Sequence, residues 1–242
     1  MSIHKPQNPI LSKVYFKIIE PLLRRSHLLK PLTWDNVLKN NSPLMLYAGG
    51  LTTQQPQYST HIGLTPFHYS SKSIHHDIVQ PMLIEKEVVD VYQGEDVFEH
   101  IQYEQLPAIF DEIYRVLKNG GLFRFSVPDY KCDVYSGRSV KNEKGEIVFD
   151  PGGGGSFVNK EVKNGGHVWF PTIELVKNLF DHSKFKENGE IRYLHYYDET
   201  GEGITQDIDY KYGYIARTPD HDQRVRYPYR PLSIVVDAYK RK

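Results

Sequence analysis

Three side chains in this chain have the type and setting to take a proton from a bound molecule: His100, Asp129 and His167. Imidazole and carboxylate groups do such work near neutral pH. Each has a plain structural use as well. His100 opens a helical stretch, Asp129 could cap a turn, and His167 follows the glycines 165 and 166, where a backbone hydrogen bond would explain it. Asp129 is favoured by its place, because open α/β sheets put ligands at the carboxyl ends of their strands. Eleven histidines raise the question of a metal. His75 and His76 are adjacent and would face apart in an extended chain. No HExxH or comparable spacing exists, so no metal is assigned.

The elements that must position these groups are clearest between Val88 and Tyr130. Val88, Val89 and Val91 form a β-branched run that suits a buried strand. From Leu106, apolar residues recur at Ile109, Phe110, Ile113, Val116 and Leu117, one face of an amphipathic helix. Pro107 suits its first turn, and Lys118 with Gly120 suits its end. Leu122 to Val127 reads as the next strand. Upstream, Leu44 to Tyr47 is a first strand entering the turn Ala48-Gly49-Gly50, and His61 to Leu64 and Ile74 to Ile78 are the second and third. Downstream, Thr172 is placed to cap a helix running to Phe180. Ile191 to Tyr197 and Leu232 to Tyr239 supply two late strands. Ile10 to Leu32 has the apolar face of one or two helices, broken at Pro21. Lys131 to Asn164 is polar and holds four consecutive glycines, 152 to 155. Such a run is costly to order and reads as a mobile loop or lid.

Four fragments in order carry a family resemblance: Val89-Asp90-Val91, Phe98-Glu99-His100-Ile101, Tyr114 to Gly121, and Val127-Pro128-Asp129. This segment resembles the centre of class I S-adenosylmethionine-dependent methyltransferases, particularly the small-molecule and sugar-modifying type. Gly166-His167-Val168-Trp169 and Ser183-Lys184-Phe185 resemble that family's later region. The resemblance implies an α/β fold: a Rossmann-like, seven-stranded, mostly parallel sheet with helices on both faces, plus N-terminal helices and a C-terminal insert. It implies one methyltransferase-like domain over residues 1–242. Within it, 1–40 is an N-terminal helical segment, 131–166 a flexible lid, and 198–231 a tyrosine-rich insert.

The same resemblance implies S-adenosyl-L-methionine as cosubstrate and places its site. The turn Ala48-Gly49-Gly50 would let the backbone approach the methionine part, with alanine where the family has its first glycine. Gly63 stands where the family has an acid for the ribose hydroxyls. Losing such a charge-assisted hydrogen bond costs about 1.5–3 kcal/mol. Asp77 and Ile78 match the region that meets the adenine. Gly94, Glu95 and Asp96 would lie in the loop after the fourth strand, beside the sulfonium. His221, Asp222, Arg224 and Arg226 resemble a late group of some sugar-modifying members, and would either bind an anionic or sugar acceptor or pin the insert to the body.

Bulk properties narrow the alternatives. Thirty basic residues balance thirty acidic ones, which argues against a nucleic-acid partner. A single cysteine excludes an internal disulfide. The apolar N-terminal stretch is interrupted by charge and resembles neither a transmembrane segment nor a signal peptide. The expectation is a cytoplasmic enzyme that methylates a small molecule or a nucleotide-linked sugar, as in polysaccharide biosynthesis. A methyltransferase-fold partner or regulatory subunit without catalysis is the alternative, motivated by Ala48 and Gly63. A homodimer or a heteromeric partner stays open.

Overall fold

The computed structural model describes residues 32–66 and 72–241. The helices expected over Ile10 to Leu32 therefore fall outside the described residues, except for Leu32 itself, whose amide donates to Ser73 O. Eight strands form one sheet: β1 (Met45–Ala48), β2 (Ile62–Thr65), β3 (Ser73–His75), β4 (Val89–Glu95), β5 (Leu117–Pro128), β10 (Gly189–Tyr197), β11 (Gly203–Thr205) and β12 (Ser233–Lys240). Their order is β11-β10-β12-β5-β4-β1-β2-β3. β1 to β5 are parallel to one another, and β12 runs antiparallel between β5 and β10. The chain order reverses between β1 and β4. That is the switch point beside which an open α/β sheet leaves a crevice at its carboxyl edge. Seven strands were expected; the eighth, β11, extends the edge beside β10.

Side chains alternate across the sheet, as strand geometry requires. Leu46, Leu64, Tyr92, Phe123, Phe125 and Val236 face one side and pack against helices. These helices are α1 (Trp34–Asn40), α2 (Leu106–Val116), α4 (Ile173–Asp181) and α5 (Phe185–Asn188); a single turn, α3 (Asp133–Ser136), lies between α2 and α4. In α2, Leu106, Ile109, Phe110, Ile113 and Val116 are the buried residues. They match the helical face read from the sequence, with Val116 closing it one residue before β5 begins. Phe98, Phe110, Phe123, Phe125 and Phe180 form one aromatic cluster beneath the site edge. The capping expected of Thr172 does not occur: it holds the N-cap position of α4, but its hydroxyl does not accept from the helix amides.

The opposite face is mixed, with Gln93, Arg124 and Asp237 beside an apolar patch of Leu194, Ile208, Ile215 and Val235. Among the described residues it is covered by the stretch 209–217. Arg124, fully buried, forks onto both Asp237 oxygens at 2.7 and 2.8 Å. Its remaining nitrogen donates to Gly213 O at 2.7 Å and Asp209 O at 2.9 Å. Arg124 and Asp237 are direct register partners on β5 and β12, so the sheet itself sets the fork. Gln93 and Gln57 both donate to Tyr214 O. The insert is thus held by Arg124 and Gln93, which the sheet points outward, and by Gln57 of the turn Pro56–Ser59.

Residues 131–166 carry more structure than the expected lid. Two hairpin ribbons, β6 (Val140–Lys141) with β7 (Ile147–Phe149) and β8 (Ser156–Val158) with β9 (Glu161–Lys163), flank the glycine run. The run is anchored by Asp150, which is fully buried and takes two hydrogen bonds from Arg138.

The second strand runs to Thr65, two residues beyond Gly63. Gly63 therefore lies inside β2, and the chain leaving β1 passes over it. A Cβ there would stand 2.7 Å from both Gly49 O and Ser73 Oγ. Close approach, not a lost ribose contact, explains the glycine. Gly63→Ala is expected to cost about 1–3 kcal/mol through overpacking, read as a lower thermal midpoint. An unchanged midpoint would show that the 49–51 turn is free to move.

Candidate functional site

The switch point brings together the ends of β1 and β4. Gly49 turns the chain with φ +115°, and its amide donates to Leu64 O at 2.8 Å. Ala48 is buried on the helix side. Gly50 follows Gly49 at the same edge. Asp77 and Ile78 follow β3 at the same carboxyl edge, with β2 in between. Asp77 is exposed and accepts from Val79 N, and Ile78 packs partly against the core.

Two of the three residues expected in the loop after β4 are placed differently from expectation. Gly94 and Glu95 belong to the strand. A Cβ on Gly94 would strike the Phe98 ring, so that glycine serves packing. The Glu95 carboxylate accepts the amides of Ala216 at 2.7 Å and Arg217 at 3.1 Å. Burial pushes its carboxyl up to about 8, with help from neighbouring Asp96. Asp96 alone follows the strand. It adopts φ +54°, pairs with Arg217, and leaves its buried Oδ1 without a partner.

Asp129 does not reach the site. Its two oxygens accept the amides of Lys131 at 2.9 Å and Tyr197 at 2.8 Å. It is fully buried, and burial raises its carboxyl to about 6. It braces the turn after β5 against β10, the capping role that a carboxylate at a strand end readily takes. His221 likewise is structural: its ring meets Ile215 O and Thr218, and Asp222 pairs with Arg224. The partners of that polar group, Ile215, Thr218, Pro219 and Asp220 among them, lie within the insert itself, so the group braces the insert internally.

His100 and His167 do converge. Their rings meet edge to face with centroids 4.7 Å apart. Both line a cavity of about 250 Å³ with Asp96, Glu99, Arg138 and Arg217. His100 Nδ1 lies 3.2 Å from Gly166 O. A carbonyl only accepts, so Nδ1 carries the proton and Nε2 is bare in the neutral ring. His167 Nδ1 lies 2.5 Å from the Tyr130 hydroxyl, which gives its own proton to Asp150 at 2.7 Å. His167 must then donate through Nδ1, leaving its Nε2 bare as well. That nitrogen stands 3.6 Å from a Glu99 oxygen. The glycine run completes the wall, since a Cβ on Gly153 would sit 2.6 Å from the His167 ring.

Glu99 was not singled out in the sequence. It is fully buried, and neither carboxylate oxygen has a hydrogen-bond partner. Burial, with the charge of Asp96, holds its carboxyl well above the usual range. The sequence signal was its adjacency to His100 within the Phe98 to Ile101 fragment.

These environments give the fold a two-sided pH response. Burial holds His61 and His167 down at about 4, against about 6.5 in an unfolded chain. The unfolded chain binds more protons between those values. The histidine contribution is therefore complete above about pH 6.5 and is lost as the pH falls through 4. Glu95 acts with the opposite sign: its contribution is complete below about 4.5 and is lost as the pH rises through about 8. Thermal midpoints should fall on both sides. His61→Gln should flatten the acid limb and Glu95→Gln the alkaline limb. Slopes unaltered by these variants would contradict the assignment.

Residues 53–125 match the methyltransferase domain family. No curated protein matches the chain. Among solved structures, an S-adenosylmethionine-dependent methyltransferase from Clostridium acetobutylicum is 11% identical, with 96% of this chain and 98% of that one covered and a TM-score of 0.45. One from Mesorhizobium loti is 12% identical, with 81% and 90% covered and a TM-score of 0.44. Phosphoethanolamine N-methyltransferase 2 of Haemonchus contortus, in complex with S-adenosyl-L-methionine, is 14% identical, with 88% and 53% covered and a TM-score of 0.44. No helix among the described residues is long and apolar enough to cross a membrane.

Proposed function

We propose that this chain, which carries a class I S-adenosylmethionine-dependent methyltransferase domain, moves a methyl group onto a hydroxyl or amine of a small polar acceptor. The acceptor sits in the cavity beside β4. The observation that carries this reading is the pair of imidazoles, His100 and His167, presenting bare Nε2 atoms to a cavity beyond the carboxyl ends of β4 and β5. At about 250 Å³ the cavity is smaller than the 300–1,000 Å³ typical of drug-sized ligands. It suits the reacting end of an acceptor. A sugar, including a nucleotide-linked sugar used for polysaccharide, fits the polar lining of the cavity.

The cosubstrate is S-adenosylmethionine, and the residues at the edge fit its cationic end. Asp96 ends β4 with a buried, unpartnered oxygen that suits a sulfonium. The Gly49–Gly50 turn permits close backbone approach. Asp77 and Ile78 lie two strands away, about 10 Å, where the far end of an extended ligand would reach. Gly63, Gly94 and Glu95 would not hold it, being packed or spent on the insert. The bound cosubstrate supplies an activated methyl group. The protein's own share is to align the acceptor, exclude water and take up a proton at a histidine nitrogen. The neutral charge of the chain and its buried, unpaired Cys132 suit a small-molecule enzyme of a reducing cytoplasm.

Calorimetric titration tests the reading. Saturable binding of S-adenosylmethionine and of S-adenosylhomocysteine is expected. Gly50→Asp should abolish it by intrusion into the turn, with the thermal midpoint unchanged. No binding at millimolar ligand would remove the proposal, and unchanged binding in the variant would place the ligand elsewhere. A non-catalytic partner subunit is favoured by one observation, the use of Glu95 to hold the amides of 216 and 217. Cosubstrate or its demethylated product found in the purified protein by mass spectrometry would rule against that second reading.

A further inference from the structure

The geometry assigns a divalent transition-metal site to Glu99, His100 and His167. One ligand atom from each of the three lies within 4.8 Å of the others. Metal–nitrogen and metal–oxygen bonds of about 2.0–2.2 Å put two ligands at most about 4.2 Å apart. Small side-chain adjustments close the difference. The residues are brought together by the β4 turn and the glycine turn before α4, tied by Val168 N donating to Glu99 O at 2.9 Å.

The second observation is Glu99 itself. Its carboxylate is fully buried, faces the cavity, and has no donor on either oxygen. Buried carboxylates are paired or hold metals. Arg217, the nearby cation, is engaged with Asp96. His167 Nε2, 3.6 Å from Glu99 Oε1, brings no proton, because its ring donates through Nδ1. The local polar groups therefore leave Glu99 uncompensated.

Both histidines are set up as ligands. A metal-bound imidazole needs its far nitrogen to donate to a carbonyl, carboxylate or similar acceptor, which fixes the ring and the tautomer. His100 does so to Gly166 O. His167 does so to Tyr130, which leans on Asp150 and through it on Arg138. Asp96 Oδ1, unpartnered in the same cavity, is available as a further ligand or through water. Two imidazoles with carboxylates suit zinc, manganese or cobalt better than magnesium or calcium. The sequence conceals the set, because its two histidines lie far apart in the chain.

The cation site stands on these atoms whether or not the cavity takes a methyl acceptor. If it does, a hydroxyl on the cation loses its proton more readily, and the histidine nitrogens serve as ligands in place of base. The experiment is done without cosubstrate, so its outcome is separate from that of methyl transfer. Chelator-treated full-length protein is titrated with Co²⁺ and followed by visible absorption, and zinc content is measured after dialysis. One equivalent per chain is expected. Glu99→Gln and His100→Ala should each weaken binding at least tenfold, while His182→Ala, at an exposed histidine elsewhere, should not. His100 is exposed, so its replacement tests binding without disturbing the core. No bound metal, or equal binding in the ligand variants, would overturn the assignment.

Discussion

Arg124→Leu is expected to lower stability by about 3–5 kcal/mol, the cost of stranding a buried charge. For a chain of this size that corresponds to a drop of roughly 6–20 °C in Tm. Three losses combine. Asp237, 4% exposed, keeps a carboxylate with both oxygens deprived of the guanidinium. Gly213 O and Asp209 O lose their donor. The stretch 209–217 loses its anchor on β5, and with it the amides that occupy Glu95. Replacing both partners, Arg124→Leu with Asp237→Leu, should recover part of the loss, because no charge is then left unpaired. Chemical denaturation of the two variants measures the difference. A single-variant loss below about 1 kcal/mol, the range of exposed pairs, would mean that water reaches the fork.

The pair also shows what a sequence hides. The strands were legible because their inward faces are β-branched or aromatic at period two. Val89, Tyr92, Leu46, Leu64, Phe123 and Phe125 mark the inward face and, through its parallel order, the switch point. The outward face was not legible. Gln93, Arg124 and Asp237 are polar residues that read as solvent-facing positions, and the insert that buries them is itself rich in polar residues around Ile208 and Ile215. Only the register of β5 with β12 makes Arg124 and Asp237 partners.

The site was legible in part for a similar reason. His100 and His167 could be named from type and local setting, but their meeting depends on tertiary packing. Gly63 was assigned by counting along a strand that proved to extend to Thr65. Asp129 had the right place and the wrong direction, since its carboxylate turns to the backbone of 131 and 197. The glycines at 152 and 153 suggested mobility. Their reason is approach: a side chain at 153 would occupy the His167 ring, and one at 152 the Arg138 guanidinium. Glu99 gave no signal as a buried, unpartnered group, because burial is a property of the packed fold.

In chelator-treated protein, where its Nε2 is free, His167→Ala is expected to reduce methyl transfer by about 10²–10⁴-fold, the usual worth of a positioned proton-transfer group, with cosubstrate affinity unchanged. Its Nε2 faces the cavity, while its Nδ1 is held by the chain Tyr130, Asp150, Arg138. Tyr130→Phe keeps the ring and removes that hold. The smaller loss expected, about 10–100-fold, is that of an orienting partner. Because the freed Nδ1 no longer fixes the tautomer, the acid limb of the rate–pH profile should move as well. A purely structural His167 would show a different pattern: Tm and cosubstrate affinity would fall together with the rate, and Tyr130→Phe would leave the pH profile where it was. Rate measurements with tritiated-methyl cosubstrate, paired with titration of the same variants, separate the two. The orienting chain runs outward from the cavity to Arg138, so Arg138→Met should reproduce the Tyr130→Phe profile in weaker form if the imidazole's direction is what the chain maintains.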